Sequence, residues 1–139
     1  MFILDTNVVS ELRKTGNGKA DPNVVSWLEQ QDAASFYLSA ITVMELELGV
    51  QQIERKDSKQ GGILRTWLET RVLTEFSGRV LPVDESVALC CAGLHVPDPR
   101  SERDALIAAT ALVHGMAVVT RNLVDFEATD VSVVNPWVL

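Results

Sequence analysis

Apolar residues follow two periods along the chain. Short apolar runs at Phe2–Leu4, Phe36–Leu38, Arg79–Val83, Val118–Thr120 and Ser132–Val134 read as strands. Between them, apolar residues recur at helical spacing. A helix is expected from near Asn7, and Asp21-Pro22 opens a second, with Asp as cap and Pro at the first helical position. A third begins at Thr42 and runs to about Arg55. A loop is expected over Asp57–Gly62, followed by a helix carrying Ile63, Leu64, Trp67, Leu68, Val72 and Leu73 on one face. Asp84 caps a helix to about Leu94, which Val96-Pro97-Asp98-Pro99 breaks. Ser101–His114 forms the last helix, closed by Gly115. This order predicts an α/β fold over residues 1–139: one domain, with a mostly parallel central sheet covered by helices on both faces.

Composition narrows the class. With 47% hydrophobic and 22% charged residues, the chain has the makeup of a folded domain. Its apolar runs are too short to cross a bilayer, so no membrane role is expected. Met1-Phe2-Ile3-Leu4 leads straight into Asp5 without a basic leader, which points to the cytoplasm. Cys90 and Cys91 are adjacent, a poor arrangement for a disulfide, and read as small apolar helix residues. The net charge of −7 is awkward for a general nucleic-acid binder. Either some of that charge lies in a site neutralised by a cation, or nucleic acid is not the ligand.

In open α/β sheets, functional groups gather beyond the carboxyl ends of the strands. Asp5 directly follows the first strand, and Thr120-Arg121-Asn122 follows the fourth, with Asp125 in the loop beyond. Glu45 lies early in the helix after the second strand, and Asp104 near the start of the helix feeding the fourth. These four carboxylates could meet at one edge. Packed together they repel, and one would take up a proton unless a cation neutralised them. Oxygen-only ligands suit Mg²⁺ or Mn²⁺ better than Zn²⁺. Such an ion can polarise a phosphodiester and generate hydroxide at neutral pH, which makes phosphoryl hydrolysis the reaction class.

Each acid also has a plainer explanation. Asp5 could cap the first helix. Thr42-Val43-Met44-Glu45 is a complete capping box. Asp104 could be a first-turn acid, with Ser101 as cap, and Asp125 could cap a turn. The argument rests on all four reaching the same place. His95 and His114 lie near helix ends, outside any triad-like setting.

The motifs resemble those of the PIN-domain family, specifically the VapC-type toxin ribonucleases and their FitB-like branch. The resemblance runs through Phe2-Ile3-Leu4-Asp5-Thr6-Asn7, Leu38–Gly49 around Glu45, Asp104-Ala105-Leu106-Ile107-Ala108-Ala109-Thr110-Ala111, and Val119-Thr120-Arg121-Asn122-Leu123-Val124-Asp125-Phe126. The tail Asn135-Pro136-Trp137 is similar to the FitB-like branch. The resemblance implies a three-layer α/β/α fold and a Mg²⁺- or Mn²⁺-dependent endoribonuclease leaving a 5′-phosphate and a 3′-hydroxyl. It also implies a type II toxin–antitoxin system, a homodimer and a VapB/FitA-like antitoxin. Asp5, Glu45 and Asp104 match its metal-ligand positions. Some relatives have aspartate directly after Thr-Arg. Here that slot is Asn122 and Asp125 carries the charge, so either could meet the metal. Thr6, Asn7 and Thr120 match groups that orient carboxylates or bound water.

Arg13, Lys14, Arg103 and Arg121 lie near the motifs and could guide an RNA backbone, or be solvated surface charges. A different class of function is a regulatory module that docks its antitoxin, the complex binding operator DNA, with little catalysis of its own. An apolar groove beside Asp21–Gln31 and Thr42–Arg55 would serve such docking. A phosphate-accepting receiver domain fits less well, because the second acidic motif falls on a helix.

Overall fold

The computed structural model describes residues 1–139. Strands β1 (Phe2–Leu4), β2 (Phe36–Ser39), β3 (Val80–Leu81), β4 (Ala117–Val119) and β5 (Val133–Val134) form one sheet in the order β3-β2-β1-β4-β5. Every pairing is parallel, which sharpens the expectation of a mostly parallel sheet. Side chains alternate across the strands. Leu4 and Val119 face a core with Val8, Val9, Phe36, Leu38, Leu46, Val50, Leu68 and Val72. Ile3 and Val118 face the opposite core with Ile107, Ala108, Ala111, Met116 and Phe126. Apolar residues on both faces of a parallel sheet require a helical layer on each side, giving the three-layer α/β/α arrangement.

The helices are α1 (Thr6–Arg13), α2 (Pro22–Glu29), α3 (Ala40–Lys56), α4 (Ser58–Trp67), α5 (Leu73–Glu75), α6 (Glu85–Leu94) and α7 (Glu102–His114). Asp21 caps α2 and Asp84 caps α6, as their sequence contexts predict. Gly115 ends α7 in the left-handed conformation, at φ 66°. Cys90 and Cys91 are free thiols on α6, the latter buried.

Three local expectations change. Helix α3 starts at Ala40 rather than Thr42, because the Ser39 hydroxyl accepts from the Ile41 N–H at 3.0 Å. Thr42 is therefore inside the helix, fully buried, with an unpartnered hydroxyl, and the Thr42–Glu45 capping box does not form. The expected loop over Asp57–Gly62 is mostly helical: Asp57 caps α4 by accepting from the Lys59 and Gln60 N–H groups. Gly61 there packs directly on Glu54 of α3, where an added Cβ would stand 2.7 Å from the Glu54 backbone nitrogen. The third strand is two residues long rather than five. Arg79 lies outside it, its guanidinium donating to the carbonyls of Ala33 and Glu75.

Between α4 and α5 the backbone widens into a π segment, Leu68–Val72. A cavity of about 380 Å³ lies between this region and α1, lined by Val9, Leu12, Arg13, Trp67, Arg71 and Phe76 among others. A second cavity lies beside α2, lined by Pro22, Val25, Ser26 and Glu29 among others. No helix is long and apolar enough to cross a membrane.

Candidate metal centre

Asp5 sits where β1 ends and α1 begins. Its backbone N–H extends the sheet ladder by donating to the Val119 carbonyl at 2.9 Å, which ties the residue to β4. Its side chain is held from three directions. Oδ1 accepts from the Thr6 N–H at 2.8 Å, while Oδ2 accepts from the Thr120 hydroxyl at 2.8 Å and from Asn7 Nδ2 at 3.3 Å. Asp5 is thus both a helix cap and a member of the acidic site; the two readings of the sequence were not alternatives.

Thr120, fully buried, is the hub of this network. Besides donating to Asp5, its oxygen accepts from Asn7 Nδ2 at 3.3 Å and from the Asn122 N–H at 3.0 Å. Asn7 Oδ1 in turn accepts from the Arg121 N–H at 3.3 Å. Thr6 reaches the other way, its hydroxyl donating to Glu45 Oε1 at 2.8 Å. A chain of hydrogen bonds therefore runs from the loop after β4, through Asp5, to α3. The other Glu45 oxygen, Oε2, lies 3.6 Å from the Arg103 guanidinium on α7.

Asp104 occupies the first turn of α7, half-buried. Ser101 stands at the cap position without capping the helix; its hydroxyl instead stabilises the charged form of Asp104. Asp125 lies exposed in a 3-10 turn, Leu123–Phe126. Electrostatics link all four acids. Burial raises the Asp5 carboxyl above its ordinary range, hydrogen bonds from Thr120 and Thr6 oppose that, and the charges of Glu45 and Asp125 push it up further. Asp104 is likewise raised, first by burial and then by Asp125, Asp5 and Glu45, with Ser101 opposing. Asp104 thus feels the charges of the other three acids, and Asp5 those of Glu45 and Asp125. Asn122 is placed differently: it contributes its backbone N–H to Thr120.

The donor set suits a hard cation. As the side chains stand, no three acidic, histidine or cysteine groups make a ready-built cage. An all-oxygen donor set is of the kind that a strongly hydrated ion such as Mg²⁺, which keeps several waters and uses one or two carboxylates directly, would take. The crowding of carboxylates supplies the charge such an ion would neutralise.

Sequence reasoning gave Arg103 only a possible role at the RNA backbone and did not foresee its approach to Glu45. Glu11, buried on α1, also escaped attention. It accepts from the Asp21 N–H at 2.8 Å and from Lys14 at 3.1 Å, so it braces the loop before α2 and shares no hydrogen bond with the acids' network. The histidines remain outside the site. His95 Nδ1 accepts from the Arg100 N–H at 3.2 Å, and His114 ends α7.

A PIN-domain family model matches residues 2–131. VapC ribonuclease Y4jK of Sinorhizobium fredii is 39% identical over 142 residues, covering 99% of this chain and 98% of the relative. Toxin FitB of Neisseria gonorrhoeae is 42% identical over 143 residues, covering 99% of each. A solved structure of FitAB bound to a DNA fragment superposes with a TM-score of 0.89 at 40% identity, covering all of this chain and 97% of that one.

Proposed function

Because the chain belongs to the PIN-domain family, we propose that it is the toxin of a type II toxin–antitoxin system, a nuclease acting as an endoribonuclease with Mg²⁺ or Mn²⁺. Residues 1–139 constitute the single catalytic domain. One observation carries the reading: at the carboxyl edge of the sheet the Asp5 carboxylate is held by Thr120, Asn7 and the Thr6 N–H, and the Thr6 hydroxyl donates to Glu45 on α3, so acids far apart in sequence share one hydrogen-bond network.

In this proposal the four carboxylates hold the ion, directly or through water. A bound divalent ion supplies polarisation of the scissile phosphate and a nucleophile at neutral pH. The protein's contribution is orientation. Thr6, Asn7 and Thr120 fix the Asp5 carboxylate, and Thr6 also fixes Glu45, so neither reorganises as substrate arrives. Asp104 meets few donors and keeps lone pairs free for the cation or for a proton of the attacking water. Asn122 supports Thr120, which leaves Asp125 as the fourth acid.

The second partner is an antitoxin protein of VapB/FitA type, with operator DNA bound through the complex and a homodimer of this chain at its centre. The solved structure of FitAB bound to a DNA fragment supports a partner chain and DNA binding by the complex. The cavity beside α1 offers apolar walls and the guanidinium groups of Arg13 and Arg71 to such a partner. The net charge of −7 favours a second reading, a docking module with little catalysis. A ribonuclease assay decides between them. Cleavage of RNA with Mg²⁺ or Mn²⁺ by the free chain, lost in folded Asp5→Asn and Asp104→Asn variants, supports the enzyme. Unchanged cleavage by both variants removes the mechanism, and no cleavage by the free chain, with operator binding by the complex, selects the docking module.

A further inference from the structure

Four clustered carboxylates repel a polyanion as strongly as they attract a cation, so an RNA strand needs positive charge beside them. Two arginines flank the cluster in the chain. Arg103 is turned toward Glu45, at 3.6 Å. Arg121 has no carboxylate partner at all. It follows Thr120 directly, and its own N–H is bound to Asn7, so its backbone is locked into the hydrogen-bond network around Asp5. Its side chain is exposed, and the guanidinium carbon stands 5.4 Å from the centroid of the Trp137 ring.

Trp137 is itself anchored. Asn135 caps the final turn by accepting from the Trp137 N–H at 3.0 Å and donates through Nδ2 to the Arg121 carbonyl at 3.4 Å. Asn23 of α2 donates to the Trp137 carbonyl at 3.0 Å, and the ring packs on the core beneath. The tail Asn135-Pro136-Trp137 thus grips Arg121 at both its backbone and its side chain. A planar cation lying over an aromatic face keeps its N–H edges free for a phosphate, and it loses little freedom when one binds.

Resting on the ribonuclease reading above, we propose that Arg121 binds a backbone phosphate of single-stranded RNA next to the cleaved one, with Trp137 as the residue that positions it. The strand then crosses the β4–β5 side of the acidic edge. The paired Arg103 side is not its main track.

The test is steady-state cleavage of a labelled, unstructured single-stranded RNA in Mg²⁺ or Mn²⁺, at several salt concentrations, by variants whose folding is checked by circular dichroism. Arg121→Gln is expected to raise KM roughly tenfold with kcat within about twofold, and to flatten the plot of log KM against log salt by roughly 0.7, the share of one phosphate on a single strand. Trp137→Leu is expected to reproduce part of the KM rise, while Trp137→Phe restores it because the aromatic face returns. In the Arg121→Gln background, Trp137→Leu should add nothing to KM, because its effect passes through the guanidinium. Unchanged KM in Arg121→Gln overturns the proposal while leaving the ribonuclease reading intact. So does an equal KM rise from Trp137→Leu with and without Arg121, which would assign the tryptophan a structural role only. Failure of the unaltered protein to cleave or bind RNA with either ion overturns both.

Discussion

Replacing Thr120 with valine isolates the part of the site that is built by the fold. Valine keeps the β-branched shape in a fully buried position, so packing against its neighbours is preserved and only the hydroxyl is lost. That hydroxyl donates to Asp5 Oδ2 at 2.8 Å and accepts from Asn7 Nδ2 and the Asn122 N–H. A hydrogen bond to an ionised group contributes about 1.5–3 kcal/mol. Asn7 retains its contact to Asp5, and the Asn122 N–H can turn to water, so the bond to Asp5 dominates and a loss of about 2 kcal/mol is expected near neutral pH. For a domain of this length each kcal/mol moves Tm by roughly 4 °C, which gives about 8 °C. The loss should depend on pH. The folded-state pKa of Asp5 is already raised by burial, so its contribution favours the fold below its unfolded value and is lost as pH rises through the folded one. Without Thr120 that folded pKa rises further, so the variant's deficit is largest where Asp5 is ionised and shrinks in mild acid. Urea unfolding in chelator at neutral and mildly acidic pH, with m-values compared, measures it. An equal deficit at both pH values, or none at either, would refute the account of Thr120 as a stabiliser of the Asp5 charge.

Further predictions address other parts of the structure. Asp104→Asn should raise the stability of the metal-free protein relative to wild type at neutral pH, because a raised carboxyl favours folding only below its titration and loses that contribution as pH rises; thermal melts in chelator across pH check this. The same variant should lose the increase in Tm that Mg²⁺ or Mn²⁺ gives the wild type. Ser39→Ala should cost about 1 kcal/mol as a lost helix cap, whereas Thr42→Val should be neutral or stabilising by up to roughly 1 kcal/mol, since its hydroxyl has no partner; denaturant midpoints distinguish them. Gly61→Ala should destabilise by about 1–3 kcal/mol in the same assay, because the added methyl meets the Glu54 backbone.

Asp5 and Asp104 were legible from element boundaries, whereas Glu45 lies in the second turn of α3 and Asp125 within a 3-10 turn, where no local boundary signal marks them. A buried run ends at Asp5, and a parallel β/α order sends strand ends to one edge. What failed to read was local competition. Ser39 and Thr42 are both good caps one turn apart, and the choice fell to Ser39 because β2 passes into α3 without a loop. Gly61-Gly62 looked like a loop because glycine is a poor helix former, yet close packing of α4 on α3 requires its missing side chain. The hub role of Thr120 depends on contacts 113 and 115 residues apart in sequence, to Asn7 and Asp5, which spacing alone cannot express. The same is true of Trp137 beneath Arg121: the tail motif was visible, while its contact was not.

The most direct measurement is an anomalous difference map from crystals soaked in Mn²⁺. A peak among the carboxylates of Asp5, Glu45, Asp104 and Asp125 is the predicted result. A fully occupied Mn²⁺ peak elsewhere, with that edge empty while the same protein cleaves RNA with Mn²⁺, would contradict the account.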